Sequence, residues 1–309
     1  MRRKDIIIAL LITIVWGANF TVIKLGLDGV PSMLLVSLRY FLTAFPAVFF
    51  IKRPNIEWKY IILYGFTVGV GQFGCLFYAI EIGMLPGLAS IIVQIQAFIS
   101  PFLAWLFLKE RLNIKQLIGF LIASAGLIII GIASMSNGVV GIPIVALLLT
   151  ICAPVFWAMS NIVVSFVSKR AVDNGEEVDI LSLIIWGGLI PPIPLLLFAL
   201  ILDTPQTLIN VMINLNGISI FAVLYLAIGS TLFGYGMWGK LIAKYSIGKI
   251  APLSLLVPIT GLLTARIVLS ERLSKMQWIG VIFILIGLIV ANLDFKVLNT
   301  VAMGRRKEG

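Results

Sequence analysis

The sequence predicts an all-α polytopic membrane protein, with ten transmembrane helices arranged as two inverted five-helix repeats. Three observations carry this. The 309 residues are 61% hydrophobic and only 12% charged, with a mean hydropathy of +1.12, whereas a soluble domain is roughly half apolar and about a quarter charged. Apolar windows long enough to cross a bilayer follow one another along the chain. The stretch from Gly87 to Ile128 also returns without a gap as Gly248 to Ile289. Glu110-Arg111-Leu112 becomes Glu271-Arg272-Leu273, Gln116 becomes Gln277, Gly119 becomes Gly280 and Gly126 becomes Gly287.

A membrane helix needs about 20 apolar residues at ~1.5 Å rise each. Windows of that size fall at 6–27, 32–51, 61–82, 86–108, 114–135, 143–168, 179–202, 218–243, 249–270 and 275–295. The start, MRRKD before an apolar run, has some features of a signal peptide. The run is too long for one and lacks a clear small-residue cleavage site, so a retained first helix is expected. The first repeat is assigned to 1–135 and the second to 143–295, with a basic cytoplasmic tail at 296–309.

The net charge of +10 would suggest nucleic acid in a soluble chain. Here the positive-inside rule accounts for it, and no nucleic-acid partner is expected. With both termini in the cytoplasm, most Lys and Arg fall inside. Lys24, Arg39, Arg266, Arg272 and Lys275 remain near the outer side or within helices. The predicted location is therefore the cytoplasmic (inner) membrane, multi-pass, with the lipid bilayer as partner. Five helices per half is an odd number, so the second half enters inverted. Inverted repeats in secondary transporters place the substrate site near the midplane, where the halves meet. The KRAVDNGEEVD stretch from Lys169 to Asp179 reads as a solvated connector, and 203–217 as a loop or a short interfacial helix.

Polar side chains are costly in a bilayer and face a cavity or a partner helix. Trp16 of the first window is echoed by Trp157 of the sixth, and Asn19 and Asn161 accompany them. Gln72, Gln94, Gln96, Tyr235, Trp238 and Ser254 complete a set that could line a path for a small zwitterion. Ser90 shares the face of Gln94, four residues on, while Gln96 points elsewhere in a regular helix. Helix–helix hydrogen bonding uses the same residue types. Arg39, ~12 Å into the second window, suits a substrate carboxylate or else snorkels to the interface. Lys24 and Arg266 lie nearer helix ends, where snorkelling is expected. Glu81 is the main acid near a helix interior, so proton coupling and gradient-driven facilitation both stay open.

Pro252 and Pro258 interrupt the ninth window, freeing carbonyls for a cavity or simply kinking a packed helix. Gly65 and Gly69 permit close helix approach. Gly234-Tyr235-Gly236-Met237-Trp238-Gly239 matches a dinucleotide fingerprint but lacks its strand context. Cys75 and Cys152 lie in apolar windows and suggest no disulfide, and histidine is absent. No catalytic cluster, metal site or cofactor site is expected.

Two five-helix copies, each with a Glu-Arg-Leu turn, resemble the drug/metabolite transporter superfamily and its EamA family, from Arg3 to about Asn292. WGANFTVIK, PGLASIIVQIQAFIS, YGMWGKLIAKY and APLSLLVPITGLL are similar to the family's exporters of O-acetylserine and cysteine. The resemblance implies export of small amino acids and related metabolites. A multidrug or other metabolite carrier has the same architecture. A membrane-embedded enzyme should show converging acids, histidines or metal ligands in its helices, and a structural subunit needs no polar cavity.

Overall fold

A computed structural model describes residues 1–109, 111, 113–135, 141–173, 175, 178–245 and 251–292. Glu110, Leu112 and the predicted tail lie outside the described residues. Among the described residues the ten long helices are α1 (Arg3–Leu27), α2 (Ser32–Phe49), α3 (Trp58–Glu81), α4 (Pro86–Leu108), α5 (Ile114–Met135), α6 (Ile144–Asp173), α7 (Ile180–Leu202), α8 (Gly217–Leu241), α9 (Leu253–Val268) and α10 (Lys275–Asn292). A short helix, Pro205–Ile213, links α7 to α8, capped by the Thr204 side chain. No strand occurs among the described residues.

α1 to α8 are long and apolar enough to cross a membrane, while α9 and α10 are shorter apolar helices. The chain entering α9 is a 3-10 turn, Ala251–Leu255, which carries Pro252. Proline cannot donate to the helical ladder, so regular α geometry starts only at Leu256. The outward faces carry large apolar side chains, such as Ile7, Leu11 and Ile14 on α1 and Leu121, Ile128 and Ile132 on α5. Apolar exposure on this scale is untenable in water and natural in lipid. The chain is a multi-pass membrane protein.

Contacts at the helix ends sort the turns into two sides. On one side Lys244 Nζ meets Asp5 Oδ2 at 2.7 Å, Arg170 Nη1 meets Glu57 Oε1 at 2.7 Å, and Trp186 Nε1 donates to the Ile51 carbonyl at 3.0 Å. On the other, Ser32 N donates to Glu81 Oε1 at 3.0 Å, Gly87 N donates to Glu271 Oε2 at 2.9 Å, and Gly29 abuts Ser219 and Asn216. Successive helices therefore alternate in direction.

The inversion is visible in the glycines. A Cβ on Gly119 would lie 2.6 Å from the Gly287 carbonyl oxygen, and one on Gly287 would lie 2.5 Å from that of Gly119. Gly126 and Gly280 make the same reciprocal contact at 2.5 and 2.6 Å. Gly119 corresponds to Gly280 in the repeat and Gly126 to Gly287, so each glycine meets the partner of the other. Only a two-fold axis running between antiparallel α5 and α10 produces that crossing. Side chains are excluded here because backbone meets backbone. Other extensive contacts also cross between halves: α1 packs on α9, α6 on α4 and α3, and α2 on α7. Gly65 and Gly69 serve the close packing expected of them, against Gly187 and Pro191 of α7.

The residue entering the duplicated turn keeps its backbone as well. Lys109 and Ser270, equivalent positions, both take the left-handed conformation, with φ of 57° and 54°. Such a conformation is uncommon outside glycine, and its recurrence marks one turn built twice. Gln116 and Gln277 have a matching structural task. Gln277 Oε1 accepts from Ser274 N at 2.8 Å while Ser274 Oγ accepts from Gln277 N at 3.2 Å. In the first half Gln116 Oε1 accepts from Asn113 N at 3.2 Å. These capping contacts satisfy backbone N–H groups that start α10 and α5.

Candidate functional site

A cavity of about 480 Å³ lies between the halves. Small-molecule sites run from about 300 to 1,000 Å³. Of the residues singled out in the sequence, Trp16, Asn19, Arg39, Gln72, Gln94, Gln96, Trp157, Asn161, Tyr235, Trp238 and Ser254 line it. They come from α1, α2, α3, α4, α6, α8 and the turn entering α9. Ser90 does not. Its hydroxyl donates to the Gly87 carbonyl at 2.6 Å and sits beside Gly261, where α4 crosses α9.

Gln94 and Gln96 both reach the cavity, although two residues apart. In an α-helix they would diverge by roughly 160°. Val93–Ile95 is a 3-10 turn, which lowers the separation to roughly 120°. Gln96 Oε1 accepts from Asn161 Nδ2 at 3.1 Å and from Ser100 Oγ at 3.2 Å, tying α4 to α6. Trp16 anchors one wall. Its Nε1 donates to the Ser230 carbonyl at 3.0 Å, and its ring lies 5.2 Å from Tyr235 and 5.1 Å from Trp238.

Arg39 is only 1% exposed, so it is buried in α2 and does not snorkel. Its Nη2 and Nε donate to Thr231 Oγ1 at 3.0 and 3.3 Å. The guanidinium carbon lies 3.9 Å from the Phe73 ring centre, close enough for a cation–π contact. No carboxylate lines the cavity among the described residues. Arg39 Nη1, Asn19 Oδ1 and Gln72 Oε1 are buried without a hydrogen-bond partner. A buried group left unpaired costs roughly 1–3 kcal/mol, so these atoms mark where a ligand can gain affinity.

Thr231 and Phe73 were not singled out in the sequence. Both sit in π-helical segments, Phe66–Gly74 of α3 and Tyr225–Phe233 of α8, the third helix of each half. Thr231 Oγ1 donates to the Leu226 carbonyl at 2.8 Å, five residues back. The wider π spacing turns Thr231 toward Arg39. The available signal was glycine density, with Gly65, Gly69, Gly71 and Gly74 within ten residues of α3.

Lys24 is partly exposed and lies 3.7 Å from Asp28, and Arg266 is exposed near the end of α9, as expected of residues close to helix ends. Glu81 spends its carboxylate on the amide and hydroxyl of Ser32 at the start of α2. Outside the helices, Glu271 Oε2 accepts from Gly87 N. Burial raises the pKa of this carboxyl, while the backbone amides of Gly87 and Leu88 oppose the rise.

Two inverted halves closing around a polar, lipid-shielded cavity define a secondary membrane transporter. The chain belongs to the EamA-like transporter family, whose model matches residues 3–132 and 144–293. It is 40% identical over 290 residues, covering 94% of this chain and 95% of the other, to a protein of Escherichia coli (strain K12) described as a probable amino-acid metabolite efflux pump. A Salmonella typhimurium protein with the same description is also 40% identical, covering 97% and 98%. A probable terminal-alkyne amino-acid exporter of Streptantibioticus cattleyicolor is 23% identical across 100% of this chain and 98% of its own. One solved crystal structure matches all of both chains with a TM-score of 0.60 at 15% identity. That likeness concerns the fold alone.

Proposed function

We propose that the protein exports small amino acids and related metabolites, of the cysteine and O-acetylserine class, by alternating access between its two halves. It works in the cytoplasmic membrane with both termini inside. The observation that carries this reading is Arg39, a buried cation at the cavity with no acid beside it among the described residues and its Nη1 group unpaired. A substrate carboxylate completes it with charge-assisted hydrogen bonds, which are about twice as strong as neutral ones. The free oxygens of Asn19 and Gln72 suit the substrate's ammonium group. Trp16, Tyr235 and Trp238 wall the side-chain end, while Gln94, Gln96, Trp157, Asn161 and Ser254 complete the path. The efflux-pump description of the two 40% identical relatives agrees with this chemistry.

The absence of a carboxylate among the described cavity residues favours export down the solute gradient over proton transfer through the cavity. Opening proceeds by rocking one half on the other, with α4 and α9, interrupted by the 3-10 turns Val93–Ile95 and Ala251–Leu255, as the moving parts. The test is efflux of labelled cysteine and O-acetylserine from cells producing the protein. Acceleration by the parent but not by membrane-inserted Arg39→Ala or Gln94→Ala supports the reading. Export of cationic drugs without amino acids would favour the multidrug alternative. A cross-link that locks the halves yet leaves transport intact would refute alternating access.

A further inference from the structure

A second cavity, of about 760 Å³, opens on the outside of the bundle between α9 and α10. It is unconnected with the central site by lining residues, and its two ends differ in chemistry. One end holds Arg266 and Arg272, and the rest is apolar, with Ile259, Leu262, Leu263 and Leu285. From Arg266 back to Ile259 the apolar strip runs two turns of α9, roughly 10 Å.

The charges at the polar end are unbalanced. Arg272 has no acidic partner among the described residues, and Arg266 Nη1 donates only to the Glu271 backbone carbonyl, at 3.3 Å. The one acid in the lining, Glu271, directs its Oε2 away, to the Gly87 amide at the start of α4. At the opposite end of the bundle another cavity pairs its acid: there Glu57 sits against Arg170 and Lys59, each at 2.7 Å. Two unneutralised arginines at the rim of an apolar groove also run against the side preference that places most of the chain's basic residues at the other end. Trp278, exposed at the groove, belongs to the residue type that settles at headgroup level.

We propose that this groove binds an anionic phospholipid. Its phosphate sits between Arg266 and Arg272 and one acyl chain lies along Ile259, Leu262 and Leu263. Charge complementarity selects the headgroup, because two arginines meet no protein carboxylate there. The bound phosphate adjoins the turn whose Glu271 carboxylate holds the start of α4, so occupancy braces a contact between the two halves at that side of the membrane.

The test uses the full chain purified in detergent, delipidated and then titrated with phosphatidylglycerol, phosphatidylcholine or inorganic phosphate while thermal unfolding is followed. A ligand that binds the folded state raises the midpoint with concentration. Phosphatidylglycerol should raise it more than phosphatidylcholine, and inorganic phosphate should leave it unmoved. The Arg266→Gln/Arg272→Gln variant should lose the phosphatidylglycerol excess. Leu263→Trp, which fills the apolar strip and keeps both arginines, should lose it too. Equal responses to the two lipids, an excess retained in both variants, an equal shift with inorganic phosphate, or a cross-link from Leu263 to a second copy of the chain would each overturn the proposal.

Discussion

Replacing Arg39 with methionine separates a binding cation from a structural one, because the two roles predict opposite signs. Methionine keeps the length of the stem and a favourable sulfur contact with the Phe73 ring. Thr231 Oγ1 still donates to the Leu226 carbonyl, so no buried donor is orphaned. Exchanging a buried charge for an apolar side chain of similar volume is often neutral or stabilising. The thermal midpoint of Arg39→Met should therefore match or exceed the parent. Binding should move the other way. A hydrogen bond to a charged group is worth roughly 1.5–3 kcal/mol, which corresponds to an affinity loss of about 10- to 150-fold. The assay is counterflow of labelled O-acetylserine in proteoliposomes, with the free amino acid and its methyl ester as competitors. The parent should prefer the free carboxylate and the variant should not discriminate. A variant that unfolds readily, while its surviving fraction still prefers the carboxylate, would show that Arg39 only holds α2 to α8.

Thr231→Val should weaken the same competition by about fivefold, equivalent to one ordinary hydrogen bond of ~1 kcal/mol, and Thr231→Ser should restore it. Gly126→Val should destabilise the protein by ~1–3 kcal/mol or more, since its Cβ would stand 2.5 Å from a backbone oxygen that cannot give way; a lower thermal midpoint in detergent checks this. Ser274→Ala should cost ~1 kcal/mol through loss of the α10 cap, seen in the same measurement. Glu271 has a pKa raised by burial, so the folded chain holds its proton more tightly than the unfolded chain. Its contribution is fully present below the ordinary carboxyl pKa of 4.5 and is lost as pH rises through the raised value. Glu271→Gln should remove that pH dependence while keeping an acceptor for Gly87. An unchanged slope of midpoint against pH in the variant would contradict it.

Composition, window length and the ungapped repeat determine by themselves that this chain is a membrane-embedded pair of related halves. Lipid permits few other uses for such apolar runs, and a shift of one repeat against another is written directly in residue identity. Asn19, Gln72 and Arg39 stood out for the same reason, since polar groups in a bilayer are too costly to be incidental. What lines a cavity, however, depends on angular position around each helix, and that angle is reset by irregular turns. The 3-10 turn at Val93–Ile95 brings Gln94 and Gln96 to one space, while Ser90, on the face of Gln94, is spent on a helix crossing. The π segments of α3 and α8 deliver Phe73 and Thr231 to Arg39 from opposite halves, and residue spacing does not encode that meeting. Whether a repeated residue serves chemistry or packing was likewise decided by the tertiary structure. Gln116 and Gln277 proved to be caps on backbone three residues before them, and the four repeated glycines proved to be close contacts across the two-fold axis.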